Sequence, residues 1–196
     1  MERKESASDL GVVSEDNLKF HAQVSKACKK ATNQINTIRR TFLSRNPKFL
    51  ESMFKTYFRP HLEYCIQVWN PMQVQHITAI EKVQNRFTRL LPQSSAMSQQ
   101  ERNQRLNITS HETRRLRGDL IYIFKLQEST LFTPAPDNRT RGHSKKLVIE
   151  NTNNNIRKHS FAARNINIWN SLRENIVNTE NVNIFKNLLD SYFSNV

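Results

Sequence analysis

His61 and Cys65 stand four residues apart, a spacing that puts an imidazole and a thiol on one helical face, as half of a zinc site would require. No second His/Cys pair sits at zinc-type spacing, so the pair reads as a core cysteine beside a surface histidine. Cys28 and Cys65 both fall on apolar seams, where burial raises a thiol's pKa and keeps it inert as a nucleophile. Two-metal phosphoryl transfer needs clustered carboxylates. The single adjacent acidic pair, Glu15–Asp16, lies in the stretch Ser-Glu-Asp-Asn, which reads as a solvated turn. With three glycines in the chain there is no glycine-rich phosphate loop. The expectation is a chain with no catalytic residues, no metal and no cofactor, not an enzyme by itself.

Charge carries the positive signal. The 196 residues hold 30 Lys and Arg against 17 Asp and Glu, a formal net charge of +13, and the isoelectric point is near 10.1. Polyanions are the default partner of such a chain, and nucleic acid is the commonest of them. Lys26, Lys30 and Arg40 fall on one line of a predicted helix and span about 21 Å at 1.5 Å per residue, enough to follow several phosphates. Lys82, Arg86 and Arg89 form a second row. Arg114, Arg115 and Arg117 form a third at a predicted helix start, where their charge opposes the helix dipole. No row carries a base-reading motif, so the expected contacts are with backbone and shape.

Other compartments and partners are disfavoured. The apolar seams are narrow, unlike the broad face of a membrane-surface helix, and no run of 18 apolar residues exists. Two cysteines frame no secreted disulfide scaffold, and "MERKESASDL" lacks the apolar run of a signal peptide. An intracellular protein is expected, with nucleus and cytoplasm both open.

These residues must be positioned by helices. Hydrophobic residues make up 37% of the chain and mean hydropathy is −0.69, so the core is modest. Residues 1–9 read as disordered, and "LGVV" as a short strand before a turn. From His21, Val24, Cys28, Ala31, Ile35, Ile38 and Phe42 alternate at spacings of four and three, predicting a helix. Pro47, with Asn46 as N-cap, opens a second helix that Pro60 stops or kinks. Leu62, Cys65, Ile66 and Trp69 fit a short helix ended by Pro71, and a long one follows over about Gln73–Leu91 with Ile77, Ile80, Val83, Phe87 and Leu90 inward. Capping boxes at Ser98–Glu101 and Thr109–Glu112 start two more, the second with Leu116, Leu120, Ile123 and Phe124 buried. The expected fold is mainly α. A helical bundle with a short N-terminal strand spans 10–127, a linker and basic loop with an exposed Phe132 spans 128–146, and a small mixed tail spans 147–196. Tyr64, Cys65, Trp69, Phe87, Leu120 and Trp169 are the expected core.

Several stretches carry a family resemblance. "DLGVVSEDNLKFHAQV", "KACKKATNQINTIRRTF", "FRPHLEYCIQVWNP", "IEKVQNRFTRLLP" and "RRLRGDLIYIFKL" resemble the region downstream of the catalytic palm in non-LTR, LINE-type, jockey-like retrotransposon reverse transcriptases. "TRGHSKKL" and "RNINIWNSL…VNIFKNLLD" resemble that family's C-terminal tail. The resemblance covers about Asp9 to Phe193. It implies a thumb that grips template–primer duplex, with RNA or RNA–DNA hybrid as partner alongside the parent enzyme's palm and endonuclease domains. The Arg59–Pro71 stretch would be the junction that sets the helices' mutual angle. The family's paired-aspartate motif lies upstream of the resembling region, so the resemblance implies a fragment of an RNA-directed DNA polymerase that lacks its palm. A helical protein-interaction module and a non-functional remnant are the competing readings.

Overall fold

The computed structural model describes residues 5–127, 129–136, 142–149 and 153–194. They are mainly helical, with one short antiparallel hairpin at the N-terminal end. The chain divides into two units, Met1–Glu112 and Thr113–Val196. That boundary precedes the one expected near residue 127.

In the first unit, β1 (Ser6–Asp9) and β2 (Val12–Glu15) pair in register Ser6↔Glu15 to Asp9↔Val12 around a Leu10-Gly11 turn. Residues 6–9 are therefore a strand, contrary to the frayed terminus expected; residues 1–4 lie outside the described residues. The hairpin docks on α1 (His21–Thr41). Glu15, expected to be merely solvated, turns its carboxylate onto the helix start and accepts from the His21 N–H at 2.7 Å. It serves as the N-terminal cap that Phe20, in the left-handed region at φ 57°, does not supply.

Asn46 caps α2 (Pro47–Met53), its Oδ1 accepting from the Lys48 N–H at 2.9 Å. The helix then widens into a π-turn, Phe54–Phe58, before α3 (Arg59–Glu63). Pro60 explains the widening. A regular α-turn would drive its ring against the carbonyl four residues back, and the wider turn relieves that clash without ending the helix. The π-turn also brings Phe54 and Phe58 together, with ring centroids 5.0 Å apart, each against Phe87.

Cys65 then takes left-handed φ 52°, which breaks α3 from the one-turn α4 (Ile66–Trp69). Leu62, Ile66 and Trp69 are buried, and the Trp69 Nε1–H donates to the Tyr64 carbonyl at 2.7 Å. Cys65 packs partly buried against this cluster. Tyr64 departs from the expected core: it is 54% exposed, its hydroxyl donating to the Leu10 carbonyl at 2.9 Å.

α5 (Val74–Thr88) packs along α1. His21 meets His76 near one end and Asn36 meets Arg86 near the other, so the two helices run parallel. α6 (Gln99–Arg105) opens with the capping box predicted at Ser98–Glu101. α7 (His111–Leu126) begins two residues after the predicted Thr109, and the Glu81 carboxylate of α5 accepts from its His111 N–H at 2.9 Å.

The second unit gathers Leu120, Ile123 and Phe124 of α7 with Phe132, Leu147, Ile166, Trp169, Phe185 and Leu189. Its remaining helices are α8 (Asn155–Lys158), α9 (Phe161–Ser171), α10 (Glu174–Val177) and α11 (Val182–Ser194). Phe132, in the stretch expected to be a linker, is part of this core; residues 128 and 137–141 of that stretch lie outside the described residues. Phe132 is 5% exposed, and Pro134 and Leu147 form an isolated antiparallel bridge. Asn170 acts as a strand partner for Leu147, accepting from its N–H and donating to its carbonyl, both at 2.9 Å. Trp169 is fully buried, and its Nε1–H donates to the Lys145 carbonyl at 2.8 Å.

A buried ion pair lies in the same unit. One oxygen of Asp119 accepts from Arg164 Nε at 3.1 Å, Arg164 Nη2 at 3.0 Å and Asn165 Nδ2 at 3.0 Å. Burial pushes the Asp119 carboxyl up despite those cations and lowers Arg164, so the pair holds its charge against desolvation. Replacing Arg164 by Met leaves an uncompensated carboxylate, and chemical denaturation should show the second unit destabilised by about 3–5 kcal/mol.

Candidate nucleic-acid interface

The two parallel helices end together, and their C-terminal ends are rich in arginine. Arg39 and Arg40 lie in the last turn of α1, Arg86 lies in the last turn of α5, and Arg89 follows it directly. Helix C-termini carry partial negative charge, so each helix is stabilised by a cation there. One cation per end would suffice for that.

Arg39, Arg45, Arg86 and Arg89 instead converge on one hollow of about 350 Å³, with Ile35, Asn36 and Leu90 completing the wall. Arg45 folds back over the end of α1, its guanidinium donating to the carbonyls of Arg39 at 3.1 Å, Ser44 at 3.0 Å and Phe42. Arg86 Nη2 donates to Asn36 Oδ1 at 3.2 Å. Among the described residues no carboxylate pairs with any of the four.

The segment after Arg89 is held by a fifth arginine. Arg102 is 5% exposed, and its guanidinium donates to Thr88 Oγ1 at 3.1 Å, the Ser94 carbonyl at 3.2 Å, the Met97 carbonyl and Asn85 Oδ1. Ser94 Oγ in turn donates to the Arg89 carbonyl at 3.0 Å. Arg102 thus spends its donors on neutral acceptors and fixes the turn that carries Arg89.

The sequence-predicted rows fare differently. Lys82, Arg86 and Arg89 are exposed and follow one line of α5, as expected. Lys30 and Arg40 are exposed and Lys26 is half-buried, but Lys26 and Lys30 line a different hollow, with Pro60, His61 and Tyr64. Lys30 and Arg39 are nine residues apart, about two and a half turns, and so lie on opposite flanks of α1. The first two rows therefore do not face one groove.

The third row is corrected outright as a cationic edge. Arg114 and Arg115 are 8% and 7% exposed, and Arg115 acts electrostatically on buried Asp119. Arg117 is half-buried and pairs through two nitrogens with the Asp190 carboxylate. Cationic side chains enclosed by protein, or already bound to carboxylate, present no free charge to a phosphate. Arg39 and Arg45 belong to the site and were not singled out from the sequence.

At the other shared end of α1 and α5, His21 Nδ1 and His76 Nε2 are 2.8 Å apart. Cys28 lies beside them, its thiol pushed up to about 11 by burial. Burial, and then the charge of His21, lower the His76 pKa, partly opposed by Glu15. His76 Nδ1 is buried without a hydrogen-bond partner. A folded-state pKa below the unfolded value means that the unfolded chain binds more protons, so stability rises with pH across that interval. This contribution is complete above the unfolded value near 6.5 and is lost as pH falls through the folded one. Denaturation between pH 7.5 and 5 should show falling stability, with a shallower slope after His76→Gln.

No family model matches the chain, and neither a curated protein nor a solved structure does. Among the described residues no group of three or more His, Cys, Asp or Glu is placed to hold a metal ion, and no helix is long and apolar enough to cross a membrane.

Proposed function

We propose that this chain binds nucleic acid without catalysis, holding the sugar–phosphate backbone of an RNA duplex or RNA–DNA hybrid at the arginine hollow. The observation that carries this reading is the convergence of Arg39, Arg45, Arg86 and Arg89 on one concavity with no carboxylate among them. Four like charges brought together raise the energy of the folded state. An anionic ligand recovers that energy on binding, and guanidinium groups suit phosphate oxygens through paired N–H donors. Lys82 and Arg40, exposed nearby on α5 and α1, extend the positive field along a strand.

This reading accords with the resemblance to the thumb and tail of a non-LTR retrotransposon reverse transcriptase, the region that grips template–primer duplex in that family. The surface that grips is narrower than the sequence implied, one hollow in place of three rows. The test is the salt dependence of binding to hybrid, RNA and DNA duplexes, followed by fluorescence anisotropy on the full chain. Log affinity should fall with log salt at a slope corresponding to about three to six neutralised phosphates. A flat response would overturn the proposal.

A further inference from the structure

On the opposite flank of α1, Gln23, Lys26, Ala27 and Lys30 face Gly11, Pro60, His61 and Tyr64 around a hollow of about 230 Å³. Its floor is built by the hairpin turn. Lys26 Nζ donates to the Gly11 carbonyl at 2.9 Å and the Tyr64 hydroxyl to the Leu10 carbonyl at 2.9 Å. Gln23 Oε1 accepts from the Val13 N–H at 3.0 Å. Gly11 sits at φ +83°, a conformation that L side chains rarely adopt, and its Cα approaches the Tyr64 ring closely enough that a Cβ would touch it at 3.7 Å.

The lining carries two ammonium groups and an imidazole and no carboxylate, and neither lysine is in an ion pair among the described residues. At about 30 Å³ per water the space equals roughly eight waters, room for a phosphate and an adjoining sugar but not for a base pair. The half-exposed Tyr64 ring stands at the edge, where a base can stack.

We infer that this hollow is a second anion site, distinct from the arginine hollow, which takes one nucleotide phosphate between Lys26 and Lys30. The phosphate comes either from a single-stranded stretch of nucleic acid or from a free nucleotide. About two and a half turns of α1 separate Lys30 from Arg39 and place them on opposite flanks, so filling one hollow does not fill the other.

His61 reports on occupancy. Burial first, and then the charge of Lys30, hold its pKa below the ordinary histidine value. A phosphate beside Lys30 offsets that repulsion, so binding raises the His61 pKa, and by linkage the phosphate binds more tightly at lower pH.

The experiment is an NMR pH titration of the histidine rings of the full chain, with His61 assigned by His61→Gln. It is run alone and with inorganic phosphate, a mononucleotide, a single-stranded oligonucleotide or a hybrid duplex. The expected result is an upward shift of about half a pH unit, equivalent to roughly threefold tighter binding of the anion to the protonated form. Lys30→Gln should abolish the shift, and Arg86→Gln/Arg89→Gln should preserve it. Lys30 is exposed, and among the described residues its side chain makes no hydrogen bond or ion pair, so its replacement leaves the structure intact. A shift at lower concentration with the oligonucleotide assigns the phosphate to a strand, and one at lower concentration with the mononucleotide assigns it to a free nucleotide. A His61 titration that no anion moves overturns the inference, as does a shift that survives Lys30→Gln or disappears with the two arginines. The two readings fail separately, because duplex affinity can be lost while the His61 response remains.

Discussion

Replacing Arg86 and Arg89 together by Gln should weaken duplex binding by about a hundredfold or more, since each charge-assisted bond contributes about 1.5 kcal/mol or more at such a site. The salt slope should fall by about two, one for each phosphate contact removed. Loss of affinity should be uniform across sequences, because guanidinium groups on a backbone read charge and spacing and not base edges. The fold should not suffer. Arg86 gives up one bond to Asn36, and the removal of two like charges from a carboxylate-free cluster relieves repulsion. The loss of both cations at the α5 C-terminus works the other way by about 0.3–1 kcal/mol each, so the thermal midpoint of the first unit should stay nearly level while binding falls. Arg114→Gln/Arg115→Gln is the matching control: those side chains are buried, so their replacement should change stability and leave the salt slope unaltered.

The largest stability effect falls on the Arg59–Pro71 stretch. Trp69 is fully buried in the cluster that includes Leu62 and Ile66, and its indole N–H satisfies the Tyr64 carbonyl next to the left-handed Cys65. Trp69→Ala removes one of the two largest side chains fully buried in the molecule. A cost of about 3–5 kcal/mol is expected from lost burial and the cavity that remains. Domains of this size are stable by about 5–15 kcal/mol, so the first unit would keep little or no margin. Trp69→Phe retains most of the burial but leaves the carbonyl without its donor, and should cost about 1–3 kcal/mol. Urea denaturation followed by circular dichroism separates the three proteins. Duplex affinity should track the folded fraction in all of them, because the indole touches no surface.

What the sequence revealed was mostly periodicity. The seam of α1, the Asn46-Pro47 start and the Ser98–Glu101 box are local patterns whose physics lies within a turn or two, and each is found in the structure. Long-range placement was not legible. Glu15 looked like a solvated turn residue because nothing nearby shows that the hairpin folds back onto the start of α1. Pro60 looked like a stop or a kink, and which of the two was not legible, because the π-turn that accommodates it depends on Phe54 and Phe58 finding Phe87. Gln84 was not expected inward, yet it is fully buried on α5 beside the partly buried Val83, its amide donating to the Thr109 carbonyl at 3.1 Å.

The cationic site was misread for a related reason. The line of α1 that carries Lys26, Lys30 and Arg40 runs opposite its apolar seam and leaves out the neighbouring Arg39. Residues opposite the seam point to bulk solvent, whereas those on its flanks meet the flank of the neighbouring helix. A shared cleft between two helices is therefore built from flank positions, as Arg39 and Arg86 are. Arg114 and Arg115 were read as surface charges from their position at a helix start, and no local pattern shows that their side chains are enclosed.

The most direct measurement is hydrogen exchange by mass spectrometry on the full chain, with and without a saturating RNA–DNA hybrid. Protection confined to the last turn of α1, to Phe42–Arg45 and to Arg86–Arg89 is the predicted result. Unchanged exchange there, with protection elsewhere or nowhere, would contradict the placement of the phosphate backbone at the arginine hollow.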